Sequence, residues 1–102
     1  MNTRAKGVAF EREVARMFED AGGQVRGLES GGDHLIRLNG VTFSSECKTQ
    51  LRVSVPEWWD QTVLDAVEGA VPLLTFTLPR ASRRRREILS LSRTADLLRL
   101  IA

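Results

Sequence analysis

The sequence predicts one α/β domain, a mixed β-sheet flanked by helices in the order αβββαββα, and three observations carry that expectation. Asn39-Gly40 stands between two strand-like runs, Asp33 to Leu38 and Val41 to Gln50, and an Asn-Gly pair so placed is the strongest short-range hairpin signal. The stretch Val71 to Leu78 is almost continuously apolar, as a strand buried on both faces must be. Apolar residues recur at helical spacing before the hairpin, between it and that stretch, and at the C-terminal end. Strands enclosed by helices in this way imply a mixed sheet with helices packed on it.

Element by element, the first helix is expected from about Ala5 to Ala21, with Phe10, Val14, Met17, Phe18 and Ala21 as its apolar stripe and Gly22-Gly23 ending it. A short strand over Gln24 to Leu28 follows, then the glycine-rich loop Ser30-Gly31-Gly32 and the hairpin. Ser54 with Glu57 three residues on resembles a capping box, and Pro56 falls in a first turn, so the second helix is expected from about Val55 to Glu68. Trp58, Trp59, Val63, Ala66, Val67 and Ala70 form its buried stripe, with Gln61 off it. The two tryptophans at helical spacing read as packing residues rather than base-stacking platforms. Val71 to Leu78 is the buried strand, Pro79 to Arg86 a turn, and Ile88 to Leu91 its partner. Ser92 or Thr94 caps a last helix carrying Leu97, Leu98 and Ile101.

Composition sets the bounds. With 102 residues, 42% of them hydrophobic, the chain fills one modest core and has no room for a second. No apolar run approaches the roughly 20 residues of a membrane span, and the N-terminal segment lacks a signal-peptide core. The expectation is a soluble cytoplasmic protein without a membrane partner. One cysteine and one histidine supply neither an internal disulfide nor a usual structural zinc site.

The hairpin carries the chemistry. Counting outward from a two-residue turn, Leu38 pairs with Val41, Arg37 with Thr42, Ile36 with Phe43, Leu35 with Ser44, His34 with Ser45, and Asp33 with Glu46. Directly opposed residues point to one face, and Lys48 joins them by the period-two rule. Two opposed carboxylates repel unless a cation lies between them. Mg²⁺ suits that space, since it takes oxygen ligands from one or two carboxylates and leaves positions open for water and a phosphate. The ammonium of Lys48 is then placed to orient a water or offset phosphate charge. A solvated polar face with a surface ion pair is the plainer alternative. Cys47 falls on the opposite face as a small core residue, and His34 also points away from Glu46 as a core or edge histidine. On the first helix Glu11 and Glu13 flank the apolar stripe at nearly equal angles, so periodicity leaves open which one turns toward the hairpin.

The net charge of +2 hides an uneven distribution. Arg83, Arg84, Arg85 and Arg86 stand together after Arg80, in a chain with 13 arginines and two lysines. Clustered guanidiniums match phosphate oxygens and give the salt-dependent attraction of a nucleic-acid binder, against the alternative of a merely solvated loop.

Asp33, a twelve-residue gap and Glu46-Cys47-Lys48 resemble the D…ExK signature of the PD-(D/E)xK nuclease superfamily, and the element order agrees with its restriction-endonuclease-like fold. Within it, Lys6-Gly7, Glu11-Arg12-Glu13, Arg26 and Ser30-Gly31 are similar to the archaeal-type Holliday junction resolvases, which include phage members. The resemblance spans roughly residues 6 to 50 and the remainder only by element order. It implies Glu11 as the N-terminal catalytic acid, Ser30 as a loop serine of the active-site region, and Asp33 and Glu46 as metal-binding acids. It implies the Cys47 carbonyl as a further ligand, Lys48 as the catalytic lysine, and Gln61 as a glutamine near the site. Asp33 follows Ser30 after only two glycines, a tighter loop than in the archaeal members.

The expected activity is a Mg²⁺-dependent endonuclease, with Mn²⁺ substituting and no small-molecule cofactor, that resolves four-way DNA junctions by paired nicks as a homodimer. Lys6, Arg12, Arg26, Gln61 and Arg83 to Arg86 would contact DNA. A nicking or restriction-type nuclease of the same fold, or a non-catalytic DNA-binding module, are the competing readings.

Overall fold

The computed structural model describes residues 3–29, 32–50, 52–78 and 86–101, with side chains from residue 6 onward. Ser30 and Arg83, Arg84 and Arg85 therefore lie outside the described residues, as does most of the expected turn after Leu78. The elements are α1 (Thr3–Asp20), β1 (Gln24–Gly27), β2 (His34–Leu38), β3 (Val41–Lys48), α2 (Val55–Asp65), β4 (Val71–Thr77), β5 (Ile88–Leu91) and α3 (Thr94–Ile101).

One five-stranded sheet has the order β1-β2-β3-β4-β5. All neighbours are antiparallel except β3 and β4, which run parallel and need a crossover, supplied by α2. Asn39 and Gly40 have φ of 50° and 76°, the paired positive values of a type I′ turn. That turn fixes the hairpin register, and all five expected pairs from Leu38–Val41 to His34–Ser45 form.

Alternation along β3 and β4 splits the core between the two faces. On one, Ile36, Phe43, Val71 and Leu73 pack with Phe18 of α1 and Leu100 of α3. On the other, Leu74 and Phe76 pack with Trp58 of α2, with Val55, Trp59 and Leu91 at the margin. Every residue of β4 is buried, the consequence of helices on both sides of it.

Several local expectations need correction. Met17 is 49% exposed and Ala21 is also exposed, so neither belongs to the buried stripe, and Gly22 and Gly23 bond back to Glu19 and Phe18 in a Schellman stop that leads straight into β1. The Ser54 side chain makes no capping bond; only its carbonyl is used, by Trp58 N–H at 3.0 Å. Helix α2 ends at Asp65 rather than Glu68, and Thr62, which the apolar pattern passes over, is buried because its hydroxyl donates to the Trp58 carbonyl at 2.7 Å.

Candidate active site

The site lies where the end of β3 meets the loop before β2. The ladder stops at His34–Ser45, and Asp33, one residue beyond, is held by its backbone. Its N–H donates to the Ser45 carbonyl at 2.9 Å and its carbonyl accepts from Leu28 N–H at 3.0 Å. Gly32 makes this approach possible. It has φ of 109°, and a Cβ there would lie 3.1 Å from the Ser45 carbonyl oxygen and 3.8 Å from Glu46 Oε2, so both backbone freedom and lack of a side chain are used. The Asp33 carboxylate then receives the Cys47 N–H on Oδ2 at 2.7 Å, a charge-assisted bond that fixes its orientation.

Glu46 is 7% exposed, a charge-bearing group in a nearly closed setting. Its carboxyl is pushed above the usual range by burial and by the charge of Asp33, an effect that Lys48 opposes. Lys48 Nζ stands 3.6 Å from Glu46 Oε1. Asp65, at the end of α2, adds a further upward push on Glu46.

Helix α1 contributes Glu11. Its carboxyl is raised to about 7, first by a hydrogen bond shared with the Asp33 carboxyl, then by burial and the charges of Asp33 and Glu46. Glu13 goes elsewhere: it receives Arg86 Nη2 at 2.6 Å. Two glutamates that helical periodicity could not separate thus have distinct surroundings.

Cys47 directs its thiol to the α1 face, 3.8 Å from Ser45 Oγ, where burial pushes it up to about 12. It stays protonated at neutral pH and offers no thiolate nucleophile. His34 pairs with Ser45 on that same face, and burial lowers its pKa against the opposing charges of Asp33 and Glu19. Lys6 and Arg12 on α1, Arg26 on β1 and Gln61 on α2 are exposed. Arg86 is engaged with Glu13 and lies 5.9 Å over the Phe10 ring, so this member of the arginine run folds back on α1.

Glu11 and Glu46 are hard carboxylate donors whose proton affinity is raised in part by the charge of Asp33, and a divalent cation would relieve the same repulsion. Among the described residues no three His, Cys, Asp or Glu side chains form a ready-made metal cage.

Sequence reasoning missed Asp65. Its only signal is its spacing of four residues from Gln61, which puts both on one side of α2; its proximity to Glu46 depends on where α2 docks. Ser44 Oγ accepts the Val67 N–H at 3.1 Å, pinning the end of α2 to β3 two residues before Glu46.

Over residues 2–85 the sequence matches the family described as "Phage putative PDDEXK endonuclease". The chain belongs to this PDDEXK endonuclease family. No curated protein matches it. Among solved structures, Hjc of Archaeoglobus fulgidus, a Holliday junction resolvase from an archaeal hyperthermophile, aligns with a TM-score of 0.58 at 21% identity, covering 91% of this chain and 88% of that one. The PDDEXK chain therefore shares the restriction-endonuclease-like fold expected from its element order. No helix among the described residues is long and apolar enough to cross a membrane.

Proposed function

We propose that this PDDEXK protein is a Mg²⁺-dependent endodeoxyribonuclease that resolves four-way DNA junctions by paired nicks, in the cytoplasm of a prokaryotic cell or phage-infected host. One observation carries the reading: Asp33 is locked onto the Cys47 N–H beside buried Glu46, with Lys48 3.6 Å from that acid. Buried like charges are costly to maintain, and a surface hairpin has no need of them.

In this reading Asp33 and Glu46, with the Cys47 carbonyl and Glu11, hold the metal, for which Mn²⁺ substitutes. When bound, the ion supplies an activated water and offsets charge on the phosphate under attack. The Asp33–Cys47 bond keeps one carboxylate fixed, so binding costs little reorganisation. Lys48 would orient the water or meet the phosphate oxygens. Glu11 would add a further carboxylate toward the ion from α1. Ser30 acts from the adjoining loop, Gln61 near the phosphates, and Lys6, Arg12, Arg26 and Arg83 to Arg85 bind the strands.

The junction as substrate is suggested by what the Archaeoglobus protein is named for. A homodimer would bring two such sites to symmetric strands. Leu98 and Ile101 on α3 are 60% and 81% exposed, and supply an apolar face for that contact.

The test is cleavage of a labelled four-way junction in competition with linear duplex of the same sequence, in Mg²⁺. Paired nicks in the junction alone are expected. Equal cutting of the duplex would retain the nuclease and discard the junction.

A further inference from the structure

The face of the sheet that carries Glu46 and Lys48 is only half covered. Helix α2 packs on β3 and β4, while the β1–β2 end of that face is open as a shallow concavity of about 360 Å³. Its lining follows from register. Gln24 pairs with Arg37 and Arg37 with Thr42, while Arg26 pairs with Leu35 and Leu35 with Ser44, so these side chains share the face of Ser44 and Glu46. Thr42 stands four residues before Glu46 on β3, roughly 13 Å along a strand that rises about 3.3 Å per residue.

The charge of this surface is one-sided. Among the described residues Gln24, Val25, Arg26, Leu35, Arg37 and Thr42 line it, giving two guanidiniums and no carboxylate. Arg26 and Arg37 are both exposed, and neither takes part in an ion pair among the described residues. None of these described lining residues is aromatic, so they offer phosphate contact without a platform for base stacking.

Resting on the nuclease reading, we propose that this concavity is the track of the DNA backbone leading to the catalytic acids, and that Arg37 is a phosphate-binding residue within it. Gln24 and Thr42 add neutral hydrogen bonds to the same strand. Arg37 joins Arg26 through the sheet register and has no neighbour in sequence to announce it. Because the contacts are to phosphate, they hold any sequence equally.

The experiment is fluorescence anisotropy of the full-length protein on a labelled four-way junction and on linear duplexes of two sequences, in EDTA, over a salt series. Arg37→Gln is expected to weaken binding about tenfold on every DNA and to reduce the slope of log affinity against log salt by about 1, with Arg26→Gln/Arg37→Gln reducing it by about 2. Arg99→Gln, an equal loss of charge on α3, should leave both unchanged. In Mg²⁺, Arg37→Gln should raise KM and spare kcat. Wild-type affinity and salt slope in Arg37→Gln, with wild-type protein binding and cutting DNA, would overturn the track and leave the nuclease. Wild-type protein that neither binds nor cuts DNA would remove the nuclease reading, and the track with it.

Discussion

The two halves of one sheet face differ in what they are built to do. Over β3 and β4, Trp58 of α2 closes on Leu74 and Phe76, and all three are nearly inaccessible. Over β1 and β2 the same face has no helix above it among the described residues and presents Arg26, Arg37, Gln24 and Thr42. Burial of apolar area stabilises the first half; the second contributes little to that and is free to meet a ligand. Glu46 and Lys48 sit at the seam, buried enough to feel each other and close enough to the open half to be reached.

The comparison can be broken most severely at the seam. Glu46→Gln or Lys48→Ala should reduce DNA cleavage by at least about 10²–10³-fold, the scale of losing a preorganised electrostatic group, while circular dichroism remains that of the folded protein. Leu74→Ala, on the covered side, should destabilise by about 2–5 kcal/mol in denaturant unfolding. Leu64→Ala, on the outside of the same helix layer at 83% exposure, should stay within about 0.5 kcal/mol. Opposite behaviour of these two would mean that α2 does not dock as described.

The hairpin register offers a smaller effect. Asn39→Ala places a side chain without local hydrogen-bonding capacity at φ of 50° and should cost about 1 kcal/mol in thermal or chemical unfolding. Its cleavage at low temperature should survive, because the register is also held by the pairs from Leu38–Val41 to His34–Ser45.

The smallest expected effect is a pH dependence. Glu11 has a carboxyl raised from 4.5 to about 7, so the folded, metal-free protein holds this proton more tightly than the unfolded chain. The stability it contributes is complete below about pH 4.5 and is lost as pH rises through about 7. Glu11→Gln should remove that loss, so between pH 4.5 and 7.5 its Tm should rise relative to wild type by a few degrees, about 4–8 °C corresponding to 1 kcal/mol in a domain of this size. An unchanged difference would mean that Glu11 does not share a proton with Asp33.

Much of this architecture is legible in the sequence because short-range rules dictate it. The Asn39-Gly40 turn sets the register and thereby brings Asp33 beside the end of β3. The largely apolar run of β4 demands helices on both sides. What the sequence withholds depends on docking. Asp65 comes near Glu46 because Trp58 docks α2 on Leu74 and Phe76 and Ser44 Oγ ties the residues after α2 to β3. Arg37 becomes part of a surface only once β1 and β3 flank β2. Glu11 and Glu13 are alike by periodicity, and they part because α1 sets one against Asp33 and the other against Arg86. Arg86 belongs by sequence to an outward-facing basic run, yet its guanidinium turns to Glu13 and Phe10.

The most direct test of the acid cluster as a metal-dependent site is cleavage of labelled DNA in Mg²⁺ and in EDTA by wild type, Asp33→Asn and Glu13→Gln. Cutting by wild type and Glu13→Gln in Mg²⁺, lost in EDTA and in Asp33→Asn, is the predicted result. Cutting by Asp33→Asn at the wild-type rate, or cutting that persists in EDTA, would contradict it.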